Sequence, residues 1–177
     1  MKKRFMWLII SVALVLTVVV GSTLAYLIAS SKPVMNTFTI GDVHITLTET
    51  TGSDYKLTPG AAVSKDPTVT VKAKSEACWV FVKVTQSTGF DSFCAYSIAD
   101  GWTPLEGESG VYCRRIEKAS VDTALAVLKD NQVSVKDSLT EEQLNAIAVK
   151  PTLTVTAYAI QSDGMANAKT AWQSLNS

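Results

Sequence analysis

Cys78-Trp79-Val80-Phe81-Val82 is apolar at every position. So short a run predicts a strand covered on both faces, at the centre of a sheet. Outward from it, the flanking segments alternate. Leu153, Val155, Ala157 and Ala159 share one face of Thr152–Ile160. Val69, Val71 and Ala73 oppose Thr68, Thr70 and Lys72. Val43, Ile45 and Leu47 alternate with His44, Thr46 and Thr48, and Phe38 and Ile40 with Thr37 and Thr39. The apolar parity inverts across Gly41-Asp42, which predicts a bulge or kink there. Phe90–Ile98, Val111–Ile116 and Val133–Val135 complete the predicted strands. Turn signals at Thr58-Pro59-Gly60, Ser87-Thr88-Gly89, Asp100-Gly101 and Thr103-Pro104 divide them. Short strands spaced by such turns predict an all-β antiparallel sandwich.

Two short helices are expected beside the strands. Thr140-Glu141-Glu142-Gln143 reads as a capping box, with Leu139 and Leu144 placed as its staple, opening a helix over about residues 141–148. A second helix is predicted from near Asp163-Gly164, with Met165, Ala168, Trp172 and Leu175 on one stripe. The chain has no internal repeat and no low-complexity tract.

The first residues differ in kind. Lys2, Lys3 and Arg4 precede an apolar stretch, Phe5–Val20, broken only by Ser11 and Thr17, and small residues follow in Gly21-Ser22-Thr23-Leu24-Ala25. This is the layout of a secretory signal peptide, a hydrophobic helix cut at its small-residue end. Thr23 and Ala25 fit the positions before a cut that leaves Tyr26 first; cuts after Ala29 or Ser31 are alternatives. The other reading is an uncleaved anchor, since no charge occurs from Phe5 to Ser31. In either case the rest is expected outside the membrane, secreted or at the cell surface, with membrane contact only through this segment. The expected division is 1–25 signal, 26–37 extension and 38–177 sandwich domain.

The 177 residues carry sixteen Lys+Arg and sixteen Asp+Glu. That zero balance conceals the division: without residues 1–25, thirteen basic residues face sixteen acidic ones, a net charge of −3. No basic stripe with interleaved aromatics exists for nucleic acid. No Gly-rich phosphate loop, nucleophile elbow or calcium-loop spacing occurs. The lone histidine, His44, reads as an outward strand residue, and one His cannot supply the two-His helix motif of the common zinc proteases. No catalytic, cofactor-binding or metal site is expected, and the chain is not expected to be an enzyme. Asp54, Asp66, Asp91, Asp100 and Asp163 near loops read as solvated turn residues, with a loop calcium site as the alternative. Trp102 reads as a buried turn anchor, with a ligand-contacting loop as the alternative. Cys78, Cys94 and Cys113 would line up across three adjacent strands if the chain forms hairpins near Gln86 and Thr103-Pro104. One disulfide with a free thiol, or three buried thiols, are the two outcomes that follow.

Thr23-Leu24-Ala25-Tyr26, Asn36-Thr37-Phe38-Thr39-Ile40-Gly41-Asp42-Val43, Trp79-Val80-Phe81-Val82-Lys83-Val84, Ala99-Asp100-Gly101-Trp102 and Pro151–Gln161 occur in this order. Together they resemble the camelysin/TasA-like exported proteins of Gram-positive bacteria. Leu27 stands where that family usually has Phe. The resemblance implies a jelly-roll-like sandwich and a signal removed by a W-type signal peptidase. It also implies self-association, or association with related matrix subunits, in biofilm-matrix fibres built by N-terminal strand donation. The donor would span about residues 26–38, with Met35, Phe38 and Ile40 supplying side chains and Pro33 departing from strand chemistry. A monomeric surface-binding module is the alternative. A camelysin-type metalloprotease is the remaining one, for which this chain lacks the ligand set.

Overall fold

The computed structural model describes residues 37–51, 57–118, 120–147 and 149–176. The expected signal segment, including Thr23, Ala25 and Tyr26, lies outside them, as do Pro33 and Met35 of the expected donor.

The apolar run that opens the argument is the first half of β5 (Cys78–Gln86), and it is central as expected. It pairs antiparallel along its whole length with β11 (Leu153–Gln161) on one side and, over Cys78–Lys83, with β8 (Val111–Ile116) on the other. Beyond β8 lies the two-residue β7 (Thr103–Pro104), and beyond β11 lies β1 (Thr37–Ile40). A proline and minimal length suit β7 to an edge, because Pro offers no N–H to a further strand. β1 is the exception to the antiparallel rule: it runs parallel to β11.

Two three-stranded sheets make the opposing layer. One is β2 (Ile45–Thr48), β4 (Thr68–Val71) and β9 (Thr123–Ala126); the other is β3 (Ala62–Ser64), β10 (Leu128–Val135) and β6 (Cys94–Ile98). The chain runs from β3 into β4 and from β9 into β10. The Val127 N–H donates to the Pro67 carbonyl (3.0 Å) and the Lys65 N–H to the Asn131 carbonyl (2.7 Å) across the break. A second irregularity lies within β10. Asp130 and Asn131 both take left-handed conformations (φ 54° and 52°), and the β10–β6 register shifts between Leu128 and Val133. Asp and Asn tolerate that region better than other residues with a side chain.

The result is β-sandwich-like. Val80, Val82 and Val84 of β5 and Val155, Ala157 and Ala159 of β11 meet Ile45, Leu47, Val69, Val71, Leu125 and Val133 of the opposing layer in one buried cluster. Each such valine or leucine contributes about 1.5–3 kcal/mol through burial. The other face of the five-stranded sheet is not left bare. Phe81, Cys113 and Ile160 pack under α3 (Ala168–Leu175) through Ala171 and Trp172. That second cover is why β5 reads apolar on both parities.

Several expectations change. The parity inversion at Gly41 marks a change of sheet: β1 belongs to one layer and β2 to the other. Gly41 has φ +86°, and a Cβ there would lie 2.8 Å from Gln161 Cβ, so the crossing needs glycine. Phe90–Ile98 is not one strand. Phe90–Phe93 forms a single helical turn, α1, after Gly89 (φ 80°), and only Cys94–Ile98 is extended. β3 and β9 were not expected, Thr103-Pro104 is a short strand rather than a turn, and β4 stops at Val71, short of Ala73. The capping box is present: Thr140 Oγ1 accepts from the Gln143 N–H (3.2 Å), and Gln143 Oε1 from the Thr140 N–H (2.9 Å). The helix it opens, α2, ends at Asn145, shorter than expected. α3 starts later than expected because Asn167, not Asp163, caps it, accepting from the Thr170 N–H at 3.0 Å. Its predicted stripe faces the sheet.

The expected alignment of cysteines is overturned. Cys78 pairs with Ile116, Cys113 with Phe81 and Cys94 with Val135, and all three thiols are free and buried. The cause is α1, which occupies the chain where a direct β5–β6 hairpin would form and sends β6 to the other layer.

Candidate functional site: the edge formed by β1 and β11

β11 is nine residues long, and β1 covers the four from Ala157 to Ile160, in the register Thr37–Ala157 through Ile40–Ile160. Every residue of β1 is exposed, and Phe38 (52%) and Ile40 (47%) are large apolar groups left largely in water. Their alternation puts both on the face shared with Tyr158 and Ile160. There the Phe38 ring stacks on Tyr158, with centroids 5.2 Å apart and planes at 16°. The strand is closed at its exit by Gln161: its Oε1 lies 3.4 Å from the Asp42 N–H, while its Nε2 donates to Asp163 Oδ2 (2.9 Å). β1 carries no Pro, no charged residue and no bulge, the usual devices that guard an edge. Among the described residues β1 is an exposed edge strand protected only by its shortness.

The other candidates fall elsewhere. His44 is on the surface, its Nε2 3.5 Å from Asp42 Oδ1, with both side chains about 70% exposed or more. Trp102 is buried, and its Nε1–H donates to the Ala126 carbonyl at 2.8 Å, which makes it an anchor between turn and β9. Among the described residues no group of three His, Cys, Asp or Glu is placed to hold a metal. Asp54 lies outside the described residues. Asp66 is saturated: it accepts from the Thr50 N–H (2.8 Å), the Thr51 N–H (3.1 Å), the Thr51 hydroxyl (3.0 Å) and the Thr50 hydroxyl. Partial burial pushes its carboxyl up, but these four bonds outweigh that and hold it at about 2. The thiols are unsuited to nucleophilic work. Burial pushes Cys78 up to about 11 and raises Cys94 and Cys113 as well, leaving little thiolate at neutral pH.

Two features carry no sequence signal. Lys65 Nζ sits 2.8 and 3.0 Å from the Glu49 carboxylate oxygens, and both side chains are about nine-tenths buried. Sixteen residues separate them without any regular pattern. Tyr158 also touches two elements at once: Phe38 of β1 and, edge-on at 5.2 Å and 86°, Trp172 of α3. Alternation along β11 places Tyr158 on the outer face but cannot name its neighbours.

Comparison with protein-family models, with curated proteins and with solved structures returns no match. Among the described residues no helix is long and apolar enough to cross a membrane.

Proposed function

We propose that this chain is an exported, non-enzymatic structural subunit of the cell surface or biofilm matrix that self-associates by strand donation. The signal-like N-terminus and the resemblance to camelysin/TasA-like proteins support export, with cleavage near Tyr26 by a W-type signal peptidase and a jelly-roll-like closure of the sandwich. The observation that carries the reading is β1 itself, an exposed strand at the end of the sheet that pairs with β11. Thr37–Ile40 are all exposed, and withdrawing them leaves the N–H and C=O groups of the facing residues of β11 for an extended segment from another copy to complete. The rival reading, a monomeric binding module, loses its one named contact residue, because Trp102 is buried.

The test uses the chain as the host releases it. Phe38→Cys and Tyr158→Cys variants are prepared separately, mixed and oxidised. These positions are direct neighbours in the β1–β11 register, within the reach of a disulfide. Donation in trans predicts a covalent dimer of one variant with the other, and growth to long species on sizing and electron microscopy. A strictly monomeric species at high concentration, cross-linking only when both substitutions sit in one chain, overturns the proposal.

A further inference from the structure

Tyr158 is held from two sides by elements far apart in sequence. Phe38 stacks flat on it from β1, and Trp172 meets it edge-on from α3 while also packing against Phe81 at 5.2 Å. Each contact limits the ring orientations open to the other. β1 is wholly exposed, and besides its backbone ladder with β11 this stack is a side-chain contact that holds it. α3 is eight residues long and docks chiefly through Ala171 and Trp172, with Asn176 Nδ2 donating to the Trp172 carbonyl (2.8 Å) at its end. Both are short elements of the kind that open locally before the whole domain unfolds.

We infer that α3 is a clamp on β1: with Trp172 docked, Tyr158 is preset to receive Phe38, and undocking of α3 loosens β1 and frees the β11 edge. The consequence for assembly rests on the strand-donation reading, whereas the coupling stands on contacts within one chain. An aromatic pair shifts an equilibrium roughly two- to twelvefold, and linkage requires the same factor in both directions.

Both directions are measurable in the released chain under monomeric conditions. Trp172→Leu is expected to speed amide exchange in β1, and in the β11 amides beneath it, roughly two- to twelvefold, with β2, β4 and β9 unchanged. Conversely, Phe38→Ser is expected to speed labelling of Cys113 by a similar factor. Cys113 shares the cluster under α3, while Cys78 and Cys94 lie in the other cluster and serve as controls. In a Tyr158→Leu background, Phe38→Ser should no longer move Cys113. No change in β1 exchange on Trp172→Leu, or no change in Cys113 labelling on Phe38→Ser, overturns the clamp. So does persistence of the Phe38 effect without Tyr158. Should Trp172→Leu fail to fold, the Phe38 and Tyr158 arms decide alone. If the coupling holds while mixed chains never cross-link, strand donation fails and the clamp stands.

Discussion

β5 and β1 lie in the same sheet, separated only by β11, and both are rich in apolar residues. Their surroundings are opposite. β5 has a strand on each edge, the sandwich core on one face and α3 on the other; Val80, Phe81 and Val82 have no solvent exposure. Among the described residues β1 has one neighbouring strand, and about half of Phe38 and Ile40 is left in water. Hydrophobicity alone therefore does not decide how firmly a strand is held. The number of covered sides does.

The largest expected effect comes from breaking the centre. Phe81→Ala removes a ring that fills the space between β5 and Trp172, and should cost about 3–5 kcal/mol. Urea unfolding should show a lower midpoint with an unchanged slope. A loss below about 1 kcal/mol would mean that α3 contributes little cover, and that β5 is not the doubly protected strand described here.

Intermediate effects are expected at the seam between β3 and β4, where polar ties replace apolar cover. Lys65→Met removes the ammonium held 2.8 and 3.0 Å from the buried Glu49 carboxylate and should cost about 3 kcal/mol. Adding Glu49→Leu should recover part of it, since an apolar side chain then replaces the buried carboxylate. Asp66→Asn is smaller, about 1 kcal/mol at neutral pH once the carboxylate's partial exposure is allowed for. Its sign follows from the depressed value. The folded carboxyl titrates near 2 against an ordinary 3.8, so its stabilisation is full above about pH 4 and is lost as pH falls through 2. Unfolding free energies measured at pH 7, 4 and 2.5 should therefore converge for wild type and Asp66→Asn at the acid end. A difference that stays constant would place the effect in packing rather than in the charge.

The contrast between β5 and β1 also sets what could be read from residues alone. β5, the alternating face of β11, the Thr140 capping box and the apolar stripe of α3 were legible because each signal is local: a run, a period of two, a cap, a helical stripe. What was not legible depended on distant partners. Val69 and Leu125 are neighbours only because β9 pairs with β4, and no pattern in Thr123–Ala126 announces a strand. Glu49 finds Lys65 through the fold. α1 was missed because Phe90–Phe93 has strand-like composition and is set into a helical turn by Gly89. That one turn misplaced β6, and with it the cysteine register. The edge was half legible: Phe38 and Ile40 mark a strand, but parallel pairing to the end of β11 is a tertiary fact.

The smallest expected effect on global stability lies at β1, and it sharpens the comparison most. Phe38→Ser removes an aromatic group already half in water, so thermal or urea unfolding should move by no more than about 0.5 kcal/mol. β1 itself should open more readily, because its short ladder then lacks the stack on Tyr158. A global loss comparable to that of Phe81→Ala would mean that β1 is integral to the core and unsuited to exchange. Unchanged unfolding with faster amide exchange in Thr37–Ile40, the facing residues of β11 and α3, but not in β5, would locate the weakest part of the sheet at the β1 edge, with the centre intact.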